Sequence, residues 1–200
     1  NLLLFDKDKA TRSELDRSIT VIAHELAHMW FGDLVTMKWW DGIWLNEAFA
    51  SLMEVIASYN TYPEFKQWNA MNMSRTAGFS IDSLENSRPV EFDVETPDQA
   101  EEMFDVLTYE KGSTVLRMFQ MFIGEEAFQN GVEAYLNKFK FENTNSSDLW
   151  DALSEASNQP LNKILPFWIR EKGYPFLQVD CSNNFLTIKQ KPFLLKNVDT

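Results

Sequence analysis

Cysteine is almost missing from this chain of 200 residues: Cys181 is the only one, so no disulfide can close within it and no thiolate cluster can hold a metal. A reducing compartment suits such a chain, and the expected location is cytoplasmic. Positive charge is also short, with 18 Lys and Arg against 30 Asp and Glu. A net charge of −12 lacks the clustered cations that phosphate backbones and anionic membranes attract, so nucleic acid is not an expected partner. No apolar run approaches the roughly 20 residues that span a bilayer, and the first residues show no leader pattern. Leu2-Leu-Leu-Phe opens the chain without a methionine and strand-like sequence closes it, which reads as an excerpt of a longer protein. What is present is ordinary for one folded core: 44% hydrophobic and 24% charged residues.

Histidine is scarce, yet its two copies stand four residues apart in Val21-Ile-Ala-His-Glu-Leu-Ala-His-Met-Trp-Phe. At about 100° per residue, His24 and His28 share one helical face, one turn apart, and can grip a single ion. Glu25 is rotated by about 100° from His24, so it flanks that ion as a base. A third ligand has to come from elsewhere, and Glu47 opens a second helical pattern that Gly32 and Gly42 allow to turn back. Two histidines and one carboxylate leave a fourth position open, which is the coordination of a catalytic zinc, one per chain. Composition alone produces His-Glu-x-x-His in a chain of this length with a probability on the order of one in a hundred.

Elsewhere the pattern is helical. Thr11 or Ser13 caps a first helix in which Ile19, Ile22, Ala23, Leu26 and Ala27 form a core face and Gly32 is the stop. A second helix is expected from about Leu45 to Tyr59. Glu54 falls two turns beyond Glu47, where it either accepts a hydrogen bond from a zinc histidine or faces solvent. Trp39, Trp40 and Trp44 read as packing between the ligand helices. Tyr62-Pro-Glu opens a third helix ending near Gly78, and residues 80–97 read as a cleft-lining loop with a short extended piece. Glu101, Glu102 and Asp105 read as a solvated acidic face. Tyr109-Glu-Lys-Gly opens a helix reaching Gly124. Three more follow, over Glu125–Lys138, Ser147–Ser157 with Ser146 or Ser147 as cap, and Leu161–Lys172. Gly173 and Pro175 end the last, and the alternation from Phe176 to Lys191 has the form of a hairpin.

His-Glu-Leu-Ala-His-x-Trp-Phe-Gly-Asp-Leu-Val-Thr-Met, then Lys38-Trp-Trp-Asp and Trp44-Leu-Asn-Glu-Ala-Phe-Ala, with 18 residues between His28 and Glu47, resemble the aminopeptidase N family of gluzincins. Within it the likeness is greatest to the puromycin-sensitive and tricorn-interacting aminopeptidases, and it runs through Phe104-Asp-Val-Leu-Thr-Tyr-Glu-Lys-Gly to Trp168-x5-Tyr-Pro. The resemblance implies a mainly α, thermolysin-like zinc peptidase domain over residues 1–173, with the first strands of a β-sandwich over 174–200. It implies hydrolysis of the N-terminal peptide bond of peptides, with zinc-bound water attacking and Glu25 as base. The negative charge suits a substrate that carries a free ammonium. Tyr109, which its own surroundings would make a packing aromatic, becomes through the resemblance the residue that stabilises the oxyanion. The family's amine-holding Gly-x-Met-Glu-Asn run is not in this sequence, and its expected place is just ahead of Asn1, beside the remaining domains of a full-length enzyme. The isolated chain is accordingly expected to show little activity. The rival readings are a zinc endopeptidase or related hydrolase, and a catalytically silent peptide-binding module.

Overall fold

The computed structural model describes residues 8–182 and 185–195, together with Leu4 and Asp6. The strand end or loop expected around Leu2 to Phe5 and the tail 196–200 lie outside these residues, apart from Leu4. The described chain is mainly α, with eight α-helices and two short pairs of strands.

Helix α1 (Arg12–His28) begins at Thr11, one of the two expected caps. The Thr11 hydroxyl accepts the Glu14 amide at 3.3 Å, and the Glu14 carboxylate accepts the Thr11 amide at 2.8 Å. This reciprocal box satisfies two otherwise unpaired donors. The helix ends at His28, four residues before the expected glycine stop, because the following turn takes over its carbonyls: the Asp33 amide donates to the His28 carbonyl at 2.9 Å. Gly32 lies in that turn with φ 138°, a conformation that side chains rarely tolerate. Strand β1 (Val35–Met37) follows and pairs in parallel with β2 (Glu142–Thr144).

Helix α2 (Ile43–Thr61) is the spine of the molecule. Trp44, Ala48, Phe49 and Leu52 are fully buried in a core shared with α5 (Gly112–Ile123), α6 (Glu125–Phe139) and α7 (Ser146–Ser157). Phe49 stacks on Phe31 with ring centroids 4.3 Å apart, and Trp44 on Trp150 at 5.0 Å. The Trp44 indole donates to the buried Glu91 carboxylate at 2.9 Å, which Arg170 neutralises through contacts of 3.0 and 2.6 Å. A buried carboxylate is tolerated only when paired in this way.

Several expected boundaries differ. Tyr62-Pro-Glu does not open a helix directly: Pro63–Phe65 form a 3₁₀ turn and Lys66 turns left-handed before α3 (Gln67–Asp82) starts. The alternating segment around Val90 to Val94 is a loop, as expected, and pairs with no strand among the described residues. Val90 and Glu91 are both buried, because Arg170 satisfies the charge that alternation would have turned outward. Helix α4 (Pro97–Glu102), absent from the sequence reading, is capped by Thr96 with Gln99 in a capping box and has proline in its first turn. The cap of α7 is Asn145, one residue earlier than expected. Helix α8 (Leu161–Arg170) stops two residues short, ahead of Gly173 with φ 77°.

Ile22 and Leu26, expected in the core, are 47% and 52% exposed and border an open apolar groove between α1 and α2. The predicted hairpin is present as antiparallel β3 (Tyr174–Ser182) and β4 (Phe185–Phe193). No helix of the described residues is long and apolar enough to cross a membrane.

Gly112 sets how closely α2 approaches the segment ahead of α5: a Cβ there would lie 2.7 Å from the Cβ of Ala48. Both helices are rooted in the core, so neither can yield freely. Gly112→Ala is expected to destabilise the fold by about 1 to 3 kcal/mol, the usual cost of overpacking, despite alanine's better helix propensity. Equilibrium urea unfolding measures it.

Candidate metal centre

His24 and His28 occupy the last two turns of α1, and Glu47 the second turn of α2, which packs alongside. Each imidazole turns its Nε2 to the same carboxylate oxygen: His24 and His28 both lie 3.3 Å from Glu47 Oε2. The outer nitrogens are held as well. His24 Nδ1 lies 2.9 Å from Glu54 Oε2, and His28 Nδ1 lies 2.9 Å from the Phe31 carbonyl. With each Nδ1–H donated outward, the inner nitrogens offer lone pairs once the imidazoles are neutral, which is how metal-ligating histidines are usually oriented. Of the two readings of Glu54, the structure shows the hydrogen-bonded one. The partner of His28 is a backbone carbonyl carried by the Gly32 turn, for which the sequence holds no side-chain signal.

The potential ligand atoms of His24, His28 and Glu47 all lie within 4.8 Å of one another, and no other such group of three occurs among the described residues. Their electrostatics are those of a cation site filled by protons. Burial opposes charge on His24, yet Glu47 and Glu54 outweigh it and raise its pKa to about 9. Glu47 raises that of His28 too, against partial burial. Burial also opposes ionisation of Glu47, and the two histidines overcome it, bringing its pKa down to about 2. Two neutral imidazoles and a carboxylate form an N₂O donor set well suited to zinc.

Tyr109 closes one side. Its ring is inclined by 26° to that of His24, with centroids 6.1 Å apart, and it lies close enough to Glu47 for each group to shift the pKa of the other. Burial, then the charges of Glu47 and Glu25, push the phenol pKa upward, so it remains a donor at any working pH. Glu25 is exposed on α1, next to His24 and close enough for its charge to reach that phenol. The structure thus brings all five sequence-derived residues to one place.

Tyr109 does not open an α-helix, as expected, but sits in the middle of a one-turn π-helix (Leu107–Lys111) that runs into α5. Of the three tryptophans read as packing, only Trp44 is buried. Trp39 and Trp40 are 56% and 39% exposed, and the Trp39 indole donates to the Val94 carbonyl at 2.8 Å. They line a pocket with Phe104, Pro97 and Glu101. Glu101 and Glu102 are solvated, as expected of an acidic face. Asp105 is not: it is partly buried and ion-paired with Arg88.

A mainly α domain whose two longest helices bring two histidines and a glutamate together beside a tyrosine has the form of a metallohydrolase centre. The family described as the peptidase family M1 domain matches residues 1–168. The chain belongs to that family. It is 41% identical over 192 residues to aminopeptidase M1-A of Oryza sativa subsp. japonica, covering 96% of this chain and 22% of that protein. It is likewise 41% identical over 197 residues to the puromycin-sensitive aminopeptidase of Caenorhabditis elegans, covering 96% and 21%. Against probable aminopeptidase 1 of Sulfurisphaera tokodaii the identity is 42% over 198 residues, covering 98% and 25%. The chain thus spans about a quarter or less of the length of these curated relatives.

Proposed function

We propose that this chain is the zinc-bearing part of an aminopeptidase, with residues 1–173 in the catalytic domain and 174–200 beginning the next. The observation that carries the reading is the convergence of His24 Nε2 and His28 Nε2 on one oxygen of Glu47, with the ring of Tyr109 beside His24. His24, His28 and Glu47 hold zinc, one per chain, which when bound supplies Lewis acidity towards water and a peptide carbonyl.

The chain's own groups do the rest. Glu25, free of any ligand duty, accepts the proton of the attacking water and passes it to the departing amine. Tyr109 stays protonated and donates to the carbonyl oxygen as charge builds on it. Glu54 and the Phe31 carbonyl fix both imidazole planes, so little reorganisation is required. The names of the relatives support cleavage at a free N-terminus.

The test is metal content together with turnover of the complete polypeptide on aminoacyl substrates with free or acetylated N-termini. Equal cleavage of the acetylated substrate makes the protein an endopeptidase, and bound zinc without turnover makes it a silent peptide-binding module. Tyr109→Phe is expected to lower kcat on the order of 10² to 10³-fold while zinc content stays the same. A variant with unchanged kcat leaves Tyr109 structural.

A further inference from the structure

A π-helix inserts one residue into a helical turn, is rarely longer than one turn, and is less favourable than the α-helix it interrupts. In this chain it decides where Tyr109 points. Each inserted residue rotates what precedes it by about 100° relative to an unbroken helix. If residues 107–111 relaxed into continuous α-helix with α5, the phenol would swing away from His24 and Glu47.

Both ends of that turn are tied. At its start, the Asp105 carboxylate accepts the amides of Leu107 at 2.9 Å and Thr108 at 3.2 Å, while the Asp105 carbonyl accepts the amide of Tyr109 itself at 3.2 Å. Arg88 holds the same carboxylate through Nη2 and, at 3.2 Å, through Nε. Its Nη2 also donates to the hydroxyl of the fully buried Thr108 at 3.0 Å. The guanidinium is fixed in turn by the carbonyls of Pro89 at 2.7 Å and Met103 at 3.3 Å. At the other end Lys111, its side chain 9% exposed, pairs with Asp82 at 2.9 Å and donates to the carbonyls of Glu171 and Gly173 at 3.1 Å each.

We infer that Asp105, oriented by Arg88, is a positioning residue for Tyr109: it caps and registers the π-turn that aims the phenol at the metal centre, with the buried Lys111–Asp82 pair anchoring the far end. This rests on the role given to Tyr109 above. Neither acidic residue touches the ligand set, so a defect should appear in the step that needs the phenol.

The experiment is a double-mutant cycle in the complete, zinc-loaded polypeptide, reading kcat, KM, zinc content and thermal midpoint. Asp105→Ala is expected to lower kcat about 10- to 100-fold, with KM within about twofold and zinc content unchanged, because a displaced donor costs rate more than binding. Asp105→Asn keeps an oxygen to accept the two amides and is expected to recover most of that loss. In the Tyr109→Phe enzyme, Asp105→Ala should cost no more than about twofold further, since the donor it positions is already gone. An equal loss with and without the phenol hydroxyl overturns the inference and makes Asp105 a general stabiliser. So does an Asp105→Ala enzyme with the kcat of the wild type. Should Asp105→Ala not fold, Arg88→Gln enters the same cycle and is judged by the same two outcomes. A Tyr109→Phe enzyme that keeps its full kcat instead defeats the role of Tyr109, and this inference falls with it.

Discussion

Glu25→Gln is expected to lower kcat of the complete enzyme by about 10² to 10⁴-fold, or about 3 to 5 kcal/mol in the barrier, without loss of zinc. The amide has the size and nearly the shape of the carboxylate but cannot accept a proton at neutral pH. Glu25 is exposed, carries no core packing and lies outside the cluster of His24, His28 and Glu47, so neither folding nor metal binding depends on it. The loss should therefore fall on turnover alone. Steady-state kinetics with free-amine substrates, paired with elemental analysis, tests the assignment. A Glu25→Gln enzyme within a few-fold of wild-type kcat would move the base elsewhere, and a variant lacking zinc would make Glu25 part of the metal's support.

His24→Ala should remove both the zinc and the activity. It takes away one of three ligands and strips Glu54 of its 2.9 Å partner, leaving two carboxylates, Glu47 and Glu54, facing a site with less positive charge. Retention of a full equivalent of zinc by this variant contradicts the ligand set.

The same site gives the metal-free protein a pH signature. The pKa of His24 is raised from 6.5 to about 9, so its contribution to stability is complete below pH 6.5 and is lost as pH rises through about 9. The pKa of Glu47 is lowered from 4.5 to about 2, so its contribution is complete above pH 4.5 and is lost as pH falls through about 2. Chelated protein should be most stable, as far as this pair is concerned, between about pH 4.5 and 6.5, and should lose melting temperature from 6.5 to 9. Zinc competes with the His24 proton, so its apparent affinity rises over that same interval and the loaded protein keeps its melting temperature there. Thermal melts across pH with chelator and with zinc compare the two states. Parallel curves would separate His24 from the metal.

How far the sequence carried the reading depended on the distance over which each interaction acts. The pairing of His24 with His28 and the flank position of Glu25 follow from helical rotation over five residues, and Thr11 with Glu14 fixes a helix start within one turn. The distance from Glu47 to Glu54 is likewise a helical period, which puts both on one side of α2 but left open whether Glu54 meets a histidine or solvent until the fold brought His24, 30 residues away, within 2.9 Å. The hairpin of Tyr174 to Phe193 is local as well. None of these needs more than the geometry of a single element or turn.

Contacts between distant segments were decided by the tertiary structure. The parallel match of Val35 with Glu142 spans more than half the chain, and neither three-residue strand has a periodicity long enough to detect. Glu91 reads as an outward residue until Arg170, Trp44 and Ser146 surround it, since the cost of burying a carboxylate is offset only by partners that the fold supplies. Ile22 and Leu26 have the spacing of a core face, yet periodicity identifies a face without saying what covers it. Asp105 looked like one of three solvated acids and proved to be ion-paired to Arg88, seventeen residues earlier. Tyr109 shows the division most plainly: its neighbours in sequence suggest an ordinary helix start, whereas the structure places it in a π-turn tied at Asp105 and Lys111, with its ring beside His24. Sequence specified the donors and their local spacing through the backbone's own repeat, whereas the direction of the phenol had to await pairings between segments, because a π-turn is less favourable than the α-helix it interrupts and persists where its surroundings hold it.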